Sequence, residues 1–131
     1  MRVVDDPALD VNGVVAIEDG NPVIRVNPHE SELRQRFTIA HELGHVMLRH
    51  LVPEKPEFRD PSKNYTLANF DPRERDANRF AATVLMPSEA VRAVIMQMDN
   101  ADVDALAKEF GVSKTAMSIK LKSMGILPVW L

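Results

Sequence analysis

The N-terminal part of the chain alternates short β-branched runs with turn-forming residues. Two such runs, Val14–Ile17 and Val23–Val26, flank residues 18–22 (EDGNP). Gly and Asn tolerate the positive φ of a tight turn, and β-branched residues favour strands. The pattern predicts a β-hairpin. Its second strand could offer an edge on which an extended peptide pairs, but plain sheet structure is the default interpretation.

A long helix is predicted directly after the hairpin. Residues 27–30 (NPHE) have the order of a helix start, with Asn27 as the N-cap, proline at the first helical position and Glu30 completing a capping box. Apolar residues then recur every three or four positions as far as about Leu48. This spacing predicts a buried face made of Leu33, Phe37, Ala40, Leu43, Gly44 and Met47.

One member of that face is unusual in a helix. A glycine in a helix interior costs about 1 kcal/mol relative to alanine. Gly44 therefore indicates the close approach of another backbone or of substrate, although tight packing alone would also explain it.

The remainder of the chain is predicted as a loop followed by helices. Prolines at positions 53, 56, 61 and 72 predict an irregular loop over residues 51–72, and a loop of this length in a small domain is usually functional. A second helix begins after Asp71 and stops before Pro87, and a short helix covers about 88–98. Residues 102–124 predict a helix, a turn at Gly111 and another helix, which ends at Gly125.

The composition limits the chemistry that these elements can carry. A length of 131 residues suits one domain with its own core. The chain has four histidines, no cysteine and a formal net charge of −3. Thiol catalysis, cysteine-bound zinc and iron–sulfur clusters are excluded, so His, Asp and Glu remain as strong metal ligands. No stretch reaches the roughly 18 apolar residues of a membrane span, and we expect a cytoplasmic protein.

The strongest chemical signal is the HExxH pattern of residues 41–45 (HELGH), in the middle of the predicted long helix. Positions 41 and 45 lie on one helical face about one turn apart, so two imidazoles can converge on one ion while Glu42 projects beside them. The pattern predicts one zinc ion, with manganese as the alternative, bound by His41 and His45. Glu42 is the predicted catalytic acid/base.

A carboxylate must complete the ligand set, and the start of the second helix offers Glu74 and Asp76. Glu74 shares a helix face with Asn78, which the apolar pattern places toward the core, whereas Asp76 lies with Arg79 and Phe80. We therefore predict Glu74 as the third ligand, although a capping role alone would also explain it. Asn78 either orients a ligand or faces solvent.

A donor for the oxyanion that forms during hydrolysis should also be present. Tyr65 and His50 lie in or next to the loop between the two helices, which makes them candidates. Ordinary surface or packing roles are the favoured interpretation of both residues.

Several blocks of the sequence resemble the ImmA/IrrE family of zinc metallopeptidases. The main blocks are residues 36–45 (RFTIAHELGH), 74–82 (ERDANRFAA) and 85–87 (LMP). The hairpin before them and residues 110–113 (FGVS) of the tail are also similar to the family.

The resemblance implies His41, His45 and Glu74 as zinc ligands and Glu42 as the catalytic acid/base. It also implies a protein substrate, namely a helix-turn-helix repressor of a phage-like or stress-response regulon, encoded nearby and cut at a specific site.

The tail differs in charge from the rest of the chain, because residues 105–131 contain four lysines and one acidic residue. Its spacing is typical of a helix-turn-helix, with Lys114, Thr115 and Ser118 on the recognition helix. However, the tail has no arginine, its charge is small, and Lys120 stands where the motif usually buries an aliphatic residue. We expect a structural or substrate-docking subdomain, with nucleic acid not a direct partner.

The predicted fold class is α+β. A small zincin-like metallopeptidase core over residues 1–98 combines a β-hairpin or small antiparallel sheet with the HExxH helix and a second ligand helix. A helix-turn-helix-like helical subdomain follows over residues 99–131. Two other functions stay open: a DNA-binding regulator whose HExxH site is structural or inactive, and a toxin-like or partner-binding module. The sequence makes no prediction of oligomeric state.

Overall fold

The computed structural model describes residues 1–60 and 71–126. Within them the chain is of the α+β class, with four strands and five helices. The strands form one sheet in the order β1-β3-β2-β4 and are β1 (Arg2–Asp5), β2 (Gly13–Glu18), β3 (Asn21–Val26) and β4 (Glu57–Asp60). The helices are α1 (Glu32–Met47), α2 (Pro72–Leu85), α3 (Ser88–Gln97), α4 (Val103–Phe110) and α5 (Lys114–Ser123).

The predicted hairpin is confirmed as the antiparallel pair β2 and β3. Glu18 pairs with Asn21, so the turn consists of Asp19 and Gly20, with φ values of 52° and 81°. Two successive positive φ values are typical of a type I′ turn, whose twist matches that of the flanking strands.

The sheet is larger than predicted, and it is not purely antiparallel. β1 runs parallel to β3, a pairing that the sequence did not indicate because β1 has four residues and little burial. β3 therefore lies between β1 and β2, so plain sheet structure is confirmed for Val23–Val26 and this strand offers no edge to an extended peptide.

β4 lies inside the segment that was predicted to be irregular. It pairs antiparallel with β2, with Phe58 opposite Val15 at a buried position. Pro53 and Pro56 precede β4 and do not interrupt it, and β4 pairs only with β2 among the described strands. Because prolines are tolerated just outside an edge strand, their density did not exclude a strand here.

α1 begins four residues later than predicted. Its N-cap is Ser31, whose side chain accepts a hydrogen bond from the backbone N–H of Arg34 at 3.2 Å. Asn27 instead forms a turn, accepting from the backbone N–H of His29, and its side-chain amide donates to the carbonyls of Leu9 and Val11. The predicted N-cap thus ties down the segment before β2.

The buried face of α1 also differs from the apolar pattern. Leu33 and Met47 are 44% and 61% exposed, so their predicted burial was wrong. Ala40 and Gly44 are buried as predicted, but the other buried residues are polar: Thr38, His41, Glu42 and His45. A helix face that buries four polar side chains is unusual and needs a chemical reason.

The helices of the tail lie where the sequence placed them. Asp102 and Ser113 cap α4 and α5, each accepting from a backbone N–H three residues on. Gly111 and Gly125 have φ values of 64° and 76°, the left-handed conformation that ends a helix.

The chain divides into two compact units, residues 1–81 and 82–131. The first contains the sheet, α1 and most of α2, with a small core around Val15, Ile24 and Phe58. The second has its own core around Met86, Leu106, Met117 and Leu121.

The predicted boundary at residue 98 separated a metallopeptidase core from a helical subdomain. α3 packs Val91 into the core of the second unit, so by packing the division falls earlier. The functional boundary stays a prediction.

The closest contact between the sheet and α1 generates the first testable prediction. A Cβ added at Gly13 would overlap the Cγ2 of Thr38, which is fully buried and β-branched and therefore cannot rotate away cheaply. We expect Gly13→Ala to lower the free energy of unfolding by about 1–3 kcal/mol in urea titrations. Thr38→Ser removes the overlapping methyl group, so Gly13→Ala should cost less in that background. Equal costs in both backgrounds would show that this contact is not limiting.

Candidate metal centre

α1 brings two imidazoles together on its buried face. The Nε2 atoms of His41 and His45 lie 3.2 Å apart, and both side chains are essentially fully buried. The one-turn separation of positions 41 and 45 produces this arrangement, as the HExxH spacing predicted. Two ring nitrogens therefore point at a common location.

α2 adds a carboxylate to the same location. Oε2 of Glu74 lies 2.8 Å from Nε2 of His41, and Oε1 lies 3.0 Å from Nε2 of His45. The Asp76 side chain is 45% exposed and lies 3.9 Å from Arg75. Of the two acids weighed from the sequence, Glu74 is the one that reaches both histidines.

The approach of α2 depends on Gly44. A Cβ at this position would lie 3.2 Å from the Cα and the carbonyl oxygen of Ala77 and 3.1 Å from Cδ1 of Phe80. Of the explanations that the sequence left open for this glycine, the structure supports the close approach of another backbone. Ala77 is itself fully buried and small, so both helices contribute to the contact.

The carboxylate of Glu74 stays ionised in this setting. Burial raises the pKa of Glu74, but Nε2–H groups of His41 and His45, when they donate to its carboxylate, lower that pKa more, so it lies well below the usual value for glutamate. A buried negative charge that faces two imidazoles favours a cation at the point where the three side chains meet.

The donor set fits one small cation. A tetrahedral site with bonds of about 2.0–2.1 Å places its ligand atoms roughly 3.3 Å apart, close to the observed 2.8–3.2 Å separations of the His41, His45 and Glu74 atoms. When both histidines are neutral with the proton on Nδ1, these atoms are all acceptors and repel one another. A cation among them removes that repulsion.

Glu42 lies beside this group, also fully buried. Its Oε1 is 3.7 Å from Nε2 of His41, farther than either oxygen of Glu74 is from its nearer histidine. The ligand atoms of His41, Glu42 and His45 all lie within 4.8 Å of one another, so these three residues could also hold a metal ion.

The second nitrogen of each histidine has its own contact. Nδ1 of His41 lies 2.7 Å from Oδ1 of Asn78, and Nδ1 of His45 lies 2.9 Å from Nδ1 of His50. Asn78 is exposed and does not face the core as the apolar pattern predicted, but its amide oxygen lies where a group that orients a ligand should be. His50 contacts Nδ1 of His45, the ring nitrogen on the side away from Glu74, whereas the sequence offered His50 as an oxyanion donor. The other oxyanion candidate, Tyr65, lies outside the described residues.

Burial lowers the pKa of the His50 imidazole, and repulsion from His45 lowers it further. His50 is therefore a neutral ring near pH 7, able to accept one hydrogen bond and donate another.

Phe58 is a site residue that the sequence reasoning missed. Its ring stacks on that of His45, with centroids 4.0 Å apart and planes inclined by 17°. The Lys55 ammonium and the Arg73 guanidinium lie 4.6 Å and 5.2 Å from the centroid of the Phe58 ring. A signal was present in the sequence, because an apolar residue between Glu57 and Arg59 has the alternation of a strand.

A comparison with protein families decides the assignment. The model of the family Peptidase_M78, described as the IrrE N-terminal-like domain, matches residues 4–122. The chain belongs to this family. The ImmA/IrrE resemblance seen in the sequence is confirmed, and the M78 family is one of metallopeptidases, which agrees with the cluster of potential metal ligands. No curated protein sequence matched the chain.

No helix in the described part of this M78 chain has both the length and the apolar character needed to cross a membrane.

The contact at Gly44 generates the second prediction. Alanine gains up to about 1 kcal/mol of helix propensity but needs α2 to move by a few tenths of an ångström. We expect Gly44→Ala to leave thermal stability nearly unchanged and to weaken metal affinity roughly tenfold in chelator competition, because Glu74 moves with α2. His29→Ala, at an exposed position outside the site, is the control. A more stable Gly44→Ala protein with unchanged affinity would contradict the prediction.

Proposed function

We propose that this M78 chain is a zinc endopeptidase that hydrolyses one peptide bond in a helix-turn-helix repressor and so derepresses a phage-like or stress-response regulon. The observation that carries the proposal is the convergence of His41, His45 and Glu74 within 3.2 Å of one another, with Glu42 beside them. The family assignment supports the peptidase class. A cytoplasmic location stays a prediction.

In this proposal His41, His45 and Glu74 hold the ion. Glu74 is preferred to Glu42 as the carboxylate ligand because its two oxygens lie 2.8 Å and 3.0 Å from the two Nε2 atoms, whereas Glu42 is 3.7 Å from the nearer one. When bound, zinc supplies a Lewis acid that activates water and polarises the scissile carbonyl. Two imidazoles and one carboxylate suit zinc, and manganese is the alternative.

Glu42 serves as the general acid/base. It takes the proton from the attacking water and returns it to the leaving amine, which lets the peptide bond break without releasing an amide anion. Its complete burial on α1 fixes the carboxylate next to the ligands and keeps bulk water away. Asn78 accepts a hydrogen bond from Nδ1–H of His41 and so holds that ring with Nε2 toward the ion.

The repressor substrate comes from the ImmA/IrrE resemblance, and the tail is proposed as its docking subdomain. α4 and α5 flank the turn at Gly111, the order of elements in a helix-turn-helix. Lys114, placed on the recognition helix by the sequence, lies 3.6 Å from Asp104, and an acidic side chain there is unfavourable next to a DNA phosphate.

Two functions of a different class compete with this one: a DNA-binding regulator and a partner-binding module with a structural or inactive metal site. Glu42 separates them from the peptidase, because a structural site has no use for an acid/base beside its ligands.

The third prediction concerns Glu42. We expect Glu42→Gln to retain one zinc ion per chain and to lower the rate of cleavage by roughly 10²–10⁴-fold, since glutamine cannot carry the proton. The measurement is mass-spectrometric mapping of new protein termini in cell extract treated with wild-type or variant protein. Termini that form equally fast with both proteins would rule out the mechanism.

The fourth prediction concerns the choice of acid on α2. Glu74→Ala should abolish stoichiometric zinc binding in metal analysis of dialysed protein, because it removes the charge that faces both histidines. Asp76→Ala, a matched change two residues along the same helix, should retain the metal. The reverse pattern would show that Asp76 is the ligand. Manganese in place of zinc in protein from cells would revise the metal alone.

A further inference from the structure

The end of α1 folds the chain back onto the site. Backbone N–H groups of Leu48, Arg49 and His50 donate to the carbonyls of Gly44, Val46 and His45 at 2.9, 3.1 and 2.9 Å. Arg49 has a φ of 61°, the left-handed conformation. The last two bonds and this φ define a Schellman motif, in which the residue after the left-handed one bonds back by five positions.

This motif puts the ring of His50 against that of His45. The two Nδ1 atoms are 2.9 Å apart, and the ring centroids are separated by 5.1 Å with planes inclined by 59°. Phe58 stacks on the His45 ring. Two contacts of different kinds therefore act on His45. Stacking on Phe58 fixes the plane of its ring, and the contact with His50 is made by its Nδ1 atom.

A bound metal would decide the direction of the hydrogen bond. A neutral imidazole that binds an ion through Nε2 carries its only proton on Nδ1. Nδ1–H of His45 must then donate, so Nδ1 of His50 must accept and the proton of His50 must lie on its Nε2. The reverse direction would put the His45 proton where the metal binds.

We propose that His50 is a positioning residue for the metal centre, whose Nδ1 accepts from Nδ1–H of His45 and holds that ring in its metal-binding tautomer and orientation. The inference rests on the proposed metal site and deepens it. It differs from the oxyanion role that the sequence offered for His50, because the atom in contact faces a ligand ring.

The proposal has a consequence for the charge of the site. His41 donates to the amide oxygen of Asn78, and in this proposal His45 donates to a neutral imidazole. Both acceptors behind the histidines are therefore uncharged, whereas such acceptors are often carboxylates, which make the imidazole more basic. Glu74 is then the one negative ligand in the proposed set.

Three variants test the role of His50. His50→Asn places an amide oxygen near the position of Nδ1 and retains an acceptor, whereas His50→Leu has the same branched shape and no acceptor. His29→Leu removes a histidine from an exposed position outside the site and is the control. The zinc dissociation constant is measured by competition with a chromophoric chelator, and thermal unfolding of the zinc-free proteins reports folding separately.

We expect His50→Leu to raise the zinc dissociation constant by about 10–100-fold, His50→Asn to stay within about threefold of wild type, and His29→Leu to have no effect. An unchanged constant in His50→Leu would overturn the proposal. Equal weakening in His50→Leu and His50→Asn would also overturn it, because bulk or ring shape would then matter and the acceptor would not.

A direct readout is the tautomer of each ring in the zinc-loaded wild-type protein, from long-range ¹H–¹⁵N NMR spectra of the imidazoles. The expected pattern is a proton on Nδ1 of His45 and on Nε2 of His50, and a proton on Nδ1 of His50 would overturn the proposal. A wild-type protein that binds no zinc would overturn this proposal and the proposed function together. A protein that binds zinc and cleaves nothing would overturn the peptidase assignment alone.

Discussion

The contact between the backbones of α1 and α2 at Gly44 and Ala77 is the constraint on which the site depends. Glu74 is on α2 and both histidines are on α1, so the separation of the helix axes sets the distance between the carboxylate and the imidazoles. Any side chain larger than a hydrogen atom at position 44 presses on the backbone of α2 at 3.2 Å. Glycine avoids this pressure at a cost in helix propensity, and the side-chain atoms of His41, His45 and Glu74 meet within 3.2 Å.

The polar interior of α1 follows from the same constraint. His41, Glu42 and His45 occupy the face that an ordinary amphipathic helix would fill with aliphatic side chains, and Leu33 and Met47 are left exposed. Burying charged and polar groups costs free energy unless they are paired. Glu74, Asn78 and His50 supply contacts to the two rings, and a bound cation would supply the remainder. The first unit therefore loses stability by burying these polar groups, a cost that is absent from the aliphatic core of the second unit.

Features of this protein that depend on local sequence signals were predicted better than features that depend on long-range contacts. The hairpin, α2 to α5 and the HExxH face follow from turn residues, caps and helical spacing, all of which act within a few residues. β1 and β4 were missed because each is four residues long and is defined by its pairing with β3 or β2, which short windows of sequence do not report. The same reason explains Phe58, whose stacking on His45 joins residues 13 positions apart. The start of α1 was misjudged because Asn27 bonds to the chain before β2 in place of capping the helix.

The stacking of Phe58 on His45 joins a proposed metal ligand to the edge of the described sheet. One side of this contact is a proposed ligand, and the other is a short strand whose described pairing is with β2 only. If His45 binds an ion, an ion that steadies its ring would also steady β4 through this contact, and by thermodynamic reciprocity a well-ordered β4 would raise the affinity for the ion. Loss of the metal would then cause faster amide exchange along β4 as well as loss of catalytic activity. The time for which the backbone amides of β4 stay protected from exchange would therefore depend on the supply of metal.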